Sequence, residues 1–191
     1  MGANEESLAH VYANALLDLA FQKGVHAEVL AELREFRRIL EQDASFAAFL
    51  GTPSIRQQVK KDVIRKVFGK RVSDPTLHFL QVVIDKRRQA ALPAIIDAFV
   101  AGYHERLGEL VVKVESAVPL EGSQRDRLTR TLKQKYDKEI VLEERVDPRL
   151  LGGLVLRVGD SRTDGSLRTR LRTIGDRLAA TRFRSEDYYE D

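Results

Sequence analysis

The sequence contains no cysteine and no tryptophan. The first absence excludes disulfides, thiol nucleophiles, iron–sulfur clusters and cysteine-built zinc sites. The second, with aromatics at only 7% of the chain, leaves few side chains on which a nucleic-acid base could stack. Histidines number four (His10, His26, His78 and His104) and stand far apart. No apolar run approaches the roughly 18–20 residues that a membrane-spanning helix needs. The opening stretch from Met1 to Ser7 is short, acidic and polar, so neither a signal nor a transit peptide is expected. Glu6 stands where N-myristoylation requires Ser or Thr. The net charge of +3 is spread along the chain, with no basic arm or acidic tail of the kind that grips phosphates. The expectation is a soluble cytosolic protein.

What is present is 191 residues with 43% hydrophobic and 32% charged side chains, the balance of a helix-rich globular protein. The chain reads as two segments of different period. From Ser7 to about Gly108 every stretch is helical, and short breaks at Gly24, Asp43, Gly51-Thr52-Pro53, Gly69 and after about Arg88, before Leu92-Pro93, divide it into six helices. Ser7, Asp43 or Ser45, Ser54 and Asp74 are the expected caps, with Pro75 in a first turn. Loops this short favour antiparallel neighbours, hence a six-helix bundle over residues 1–108. After Gly108 the pattern alternates. Leu110 to Val118, Ile140 to Val146 and Leu154 to Val158 read as strands. Ser123 to Lys138 and Ser166 to Arg182 read as helices. The fold class is therefore mainly α, with a smaller α+β part of about three strands and two helices over residues 109–183. A flexible tail is expected over 184–191.

No catalytic constellation emerges. His104-Glu105 imitates the start of a zinc-protease motif, but Gly108 stands where the second histidine belongs. Gly152-Gly153 and Gly159 have no following Gly-Lys-Ser/Thr and read as tight turns at strand ends. Asp160 to Gly165 resembles a calcium loop only until Arg162 and Leu171, which occupy ligand positions; it reads as a hairpin turn running into a helix cap. No metal, cofactor or catalytic residue is implied.

Two helices are too apolar for a surface. On the first, His10, Asn14 and Asp18 form a polar stripe of only about 80°, and apolar residues fill the rest. On the fifth, His78, Gln81 and Asp85 span about 60°. A helix apolar nearly all round must be covered nearly all round. Either both helices are buried centrally, or they share an outward groove that a partner helix fills, with Ala9, Ala13 and Ala15 allowing close approach. Two basic stretches remain, Ile55 to Arg71 and Ser166 to Arg184. They fit solvated helix faces, contacts to acidic partner helices, or nucleic acid; a basic helical nucleic-acid-binding adaptor is the alternative function.

The stretch Ile140 to Gly159, with Val146-Asp147-Pro148, Leu151-Gly152-Gly153-Leu154 and Val158-Gly159-Asp160, resembles the C-terminal signature of the F-type ATP synthase δ subunit, the counterpart of the mitochondrial oligomycin-sensitivity-conferring protein. Asp164-Gly165-Ser166 and Leu171 continue it. Tyr12-Ala13-Asn14-Ala15-Leu16 resembles the family's first-helix motif, and Arg88 to Pro93 its junction between helices five and six. Ser116 to Leu120 is similar to its lead into the second domain. The resemblance runs from about Leu8 to Ala180, and Val11 and Gln89 depart from the pattern. It implies a non-catalytic stator subunit that couples rotor torque to ATP synthesis and proton transport, peripheral to the cytoplasmic face of the bacterial inner membrane through the complex alone. It implies an N-terminal domain that binds N-terminal helices of α subunits, one of them in a groove between helices one and five. It also implies a C-terminal domain holding the b (or b/b′) helices of the peripheral stalk. The implied groove residues are Tyr12, Ala15, Leu16, Leu19, Phe79, Val82 and Val83, with Arg88 on the rim. Gly152, Gly153, Gly159, Asp160, Asp164, Ser166 and Leu171 are implied to be structural, Asp164 and Ser166 as caps of the last helix.

Overall fold

The structure is a computed structural model that describes the backbone over residues 3–186 and side-chain surroundings over 7–179. The chain is mostly helical with one small sheet, and it divides into two units, Met1–Leu107 and Gly108–Asp191.

Among the described residues unit one carries six α-helices: α1 (Ala3–Gln22), α2 (His26–Gln42), α3 (Ala44–Gly51), α4 (Gln57–Phe68), α5 (Asp74–Asp85) and α6 (Leu92–Arg106). Their apolar stripes meet in one core in which Leu17, Val29, Leu33, Ile64, Val83 and Phe99 are wholly buried. Helix α1 packs closely on α6, and the small residues explain how. Ala9, Ala13 and Ala20 are buried, and a Cβ on Gly102 would lie 2.6 Å from Leu17 Cδ1. Ala9 and Ala13 thus serve the protein's own core and are not free to admit a partner.

Several boundaries differ from the sequence reading. Ser7 lies inside α1 and caps nothing, since helical backbone already begins at Ala3. Ser54 lies in a turn, and α4 starts only at Gln57. Asp43 caps α3, its carboxylate accepting from the Phe46 amide at 2.9 Å. At the other end of α3, the buried Lys60 ammonium donates to the carbonyls of Leu50 (2.6 Å) and Thr52 (2.8 Å). Burial pushes the Lys60 pKa down, and those two carbonyls give its proton a use.

Among the described residues unit two contains four strands, one more than the pattern predicts: β1 (Glu109–Ser116), β2 (Glu139–Val146), β3 (Leu154–Val158) and β4 (Ser161–Asp164), in the order β2-β1-β3-β4. Strands β1 and β2 are parallel, as their crossover through helix α7 (Gly122–Tyr136) requires. Strand β3 runs antiparallel to both β1 and β4. Period-2 alternation places Val112 and Val114 under α7, against Leu128, Leu132 and Tyr136. Strand β4 was invisible in the sequence because all four of its side chains are exposed. It exists through backbone pairing across the two-residue turn Gly159-Asp160, where Gly159 takes φ +54°. Helix α8 (Leu167–Glu186) follows. The expected tail begins inside it, since 184–186 are helical, and 187–191 lie outside the described residues.

Candidate helix-docking groove

Helix α5 is held in place at both ends. The Glu32 carboxylate of α2 accepts from the Ser73 amide (2.5 Å) and hydroxyl (2.8 Å), pinning the start of α5. At its end, Lys61 of α4 pairs with Asp85 at 2.8 Å, and Gln57 donates to the Asp85 carbonyl at 3.1 Å. Helix α1 is tied to α6 by an Asp18–Arg106 ion pair as well as by the small-residue contact. The two helices stand beside each other with a trough between them.

That trough is a cavity of about 260 Å³ lined by Val11, Tyr12, Ala15, Leu16, Leu19, Pro75, His78, Phe79 and Val82. Helix α1 contributes residues 12, 15, 16 and 19, and α5 contributes 75, 78, 79 and 82. Each wall is the same i, i+3, i+4, i+7 stripe, the pattern that lines one face of a helix. Leu16 and Phe79 are buried and form the floor. Tyr12, Leu19 and Val82 are half-buried walls, Ala15 is exposed, and Val11 on the rim is 64% exposed. Of these nine lining residues, Tyr12 and His78 alone have polar side-chain groups. The apolar excess of both helices is therefore divided between an inward face and an open outward one.

Of the implied groove residues, six line the trough and two do not. Val83 is wholly buried among the core residues, because one further step of 100° along α5 turns it from the trough to the interior. Arg88 is exposed beyond the end of α5 and does not line the cavity. Val11, Pro75 and His78 belong to the lining and were missed. His78 had been read as part of a polar stripe, although its i+4 spacing to Val82 marks it as a groove neighbour. Among the described residues no group of three or more His, Asp or Glu could hold a metal ion.

The C-terminal signature occupies the other unit. Gly153 has φ +79°, and a Cβ there would meet the Gly165 carbonyl oxygen at 2.4 Å. Gly152 lies against the Leu167 side chain, and Gly159 and Asp160 form the β3–β4 turn. The Asp164 carboxylate accepts from the Ser166 amide at 3.0 Å and the Thr169 hydroxyl at 3.1 Å. The Ser166 amide is the main reason that its pKa lies below the ordinary range. Ser166 Oγ accepts from the Thr169 amide at 3.2 Å, an N-cap bond for α8. Leu171, also implied to be structural, is 59% exposed on α8. The sequence reading also missed a larger cavity of about 410 Å³ in this unit, walled by Val118, Leu120, Leu128 and Leu154 and by Gly152 and Gly153.

Fold and groove together define a class: a two-unit, mainly helical protein with an apolar trough between two helices. Comparison with known proteins narrows it. The family described as ATP synthase delta (OSCP) subunit matches residues 8–178. ATP synthase subunit delta of Symbiobacterium thermophilum is 40% identical over 172 residues, covering 90% of this chain and 92% of that protein. ATP synthase subunit delta of Desulforudis audaxviator is 35% identical over 176 residues, covering 92% and 97%. A chain of the Toxoplasma gondii mitochondrial ATP synthase hexamer shares the fold, with a TM-score of 0.69 at 23% identity over 90% of this chain and 97% of that one. The chain belongs to the ATP synthase delta (OSCP) subunit family. It is a structural, stator-type component of the ATP synthase, and the nucleic-acid alternative has no support. No helix among the described residues is long and apolar enough to cross a membrane.

Proposed function

We propose that the chain is the mechanical tie between the catalytic α/β head and the peripheral stalk, seated on the cytoplasmic face of the bacterial inner membrane through the complex. Unit one folds as the six-helix bundle that receives the N-terminal helix of an α subunit in the α1–α5 trough, and unit two holds the b or b/b′ helices. Proton flow turns the rotor, and an untethered head would turn with it. A tie does no chemistry; its task is to stay attached under lateral load. One observation carries this reading: two adjacent helices present matching apolar stripes that stay open to solvent. An amphipathic helix with i, i+3, i+4, i+7 anchors is the ligand that such walls complement. Nanomolar attachment corresponds to about −12 kcal/mol. A helix burying roughly 800 Å² per partner is compatible with it, although the quality of the anchors, and not area, sets the affinity. Calorimetric titration of the full chain with a synthetic peptide of the α-subunit N-terminus tests the reading. Saturable one-to-one binding is expected, and no heat at tens of micromolar overturns it.

A further inference from the structure

Helix α8 bears an apolar seam that the described residues leave about half exposed or more. Leu167, Leu171, Ile174 and Leu178 are 46%, 59%, 54% and 63% exposed. Their spacing of four, three and four is that of alternating d and a positions of a heptad, so they form one line about 16 Å long. The flanking e and g positions hold Arg168, Arg170, Gly175 and Arg177, while Asp176, the only acid from 167 to 179, falls at f on the far side. A merely solvated helix has no use for this order. Four large apolar side chains in line on a surface mark an interaction site. The charges then select the occupant. A second copy of α8 would bring arginine-bordered seams together and repel, whereas a helix with Glu or Asp at e and g would complement them.

We infer that α8 docks an acidic amphipathic helix as a two-stranded coiled coil. This rests on the reading that unit two holds the peripheral stalk, and it specifies the surface used: the stalk helix lays an apolar a/d seam on α8 and sets acids against Arg168, Arg170 and Arg177. The seam's first residue, Leu167, rests against Gly152, which also lines the 410 Å³ cavity with Val118 and Leu128. The apolar site therefore extends from the seam toward a socket able to take a bulky side chain from the end of the docked helix.

The test measures affinity of the full chain for the extramembrane part of its own b subunit. Leu171→Gln with Ile174→Gln should weaken binding by about 30-fold, the effect of losing a buried anchor, and leave the fold unchanged because both residues are exposed in the free chain. Arg170→Glu with Arg177→Glu should weaken it about 10-fold, and acid-to-lysine changes at the stalk helix's e and g positions should restore it. Tyr12→Asp, in the other unit, should leave it unchanged. Wild-type binding by the seam variant overturns this inference while the stalk reading stands. So does a self-dimer that the seam variant dissolves without loss of stalk binding. Failure of the unaltered chain to bind the stalk removes both readings.

Discussion

Val82 and Val83 are chain neighbours with opposite surroundings, and that contrast makes a sharp prediction. Val83 is wholly buried in the core of unit one. Val83→Ala removes two methyl groups, about 1.6 kcal/mol of transfer free energy at ~0.8 kcal/mol each. With the residual cavity the loss of stability is about 2–3 kcal/mol. In a unit of this size that is a fall in melting temperature of about 10 °C or more. Because the side chain does not reach the trough, the folded fraction should bind the α-subunit peptide as before. Val82 is half-buried on the trough wall. In the free chain Val82→Asp keeps its carboxylate in water, so it should destabilise by only about 1 kcal/mol. A seated apolar helix would bury that carboxylate unpaired, at about 3 kcal/mol or more, which is about 150-fold in affinity. Urea denaturation and calorimetric titration of both variants separate the two effects. Were Val82→Asp to unfold the chain as badly as Val83→Ala while the remaining folded protein bound normally, the trough would be no binding surface.

Two predictions concern unit two. Gly153→Ala should destabilise it by about 2–3 kcal/mol, because φ is +79° and the new Cβ would meet a carbonyl oxygen at 2.4 Å; Gly159→Ala, with φ +54° but open space, should lose about 1 kcal/mol, and chemical denaturation of the pair should preserve that order. Asp147 accepts from the Arg149 guanidinium at 2.8 Å and from its amide at 3.0 Å, which hold its pKa at about 2 against an ordinary 3.8. The folded form binds this proton less readily than the unfolded form does, so the stabilisation is complete above about pH 4 and disappears as the pH falls through about 2. Asp147→Asn should flatten that part of the acid-unfolding curve, and an unchanged curve would contradict the assignment.

Much of the groove was legible because helical periodicity is written in the residue order. That order makes helices one and five apolar nearly all round, while the family resemblance singles out Tyr12, Ala15, Leu16 and Leu19. What order alone could not say is which stripe turns inward. Helix α1 is apolar on both flanks, and only the close approach of α6, made possible by Ala9, Ala13 and Gly102, assigns one flank to the core. The same limit applied to Val83, which one step of 100° carries from wall to interior. Strand β4 stayed hidden because it is held by backbone pairing and carries no apolar side chain inward.

From the amino-acid sequence come the two segments of different period, the lack of cysteine chemistry, the apolar excess of two helices and the basic stretch from Ser166 to Arg184. Each is a property of one residue or of local spacing, and so can be read along the chain. The tertiary structure decided the trough between α1 and α5, the cavity beneath Gly152 and Gly153, and the exposure of α8. Burial is a relation between segments far apart in sequence, and it is settled only when the core has claimed its share of apolar surface and left the remainder in water.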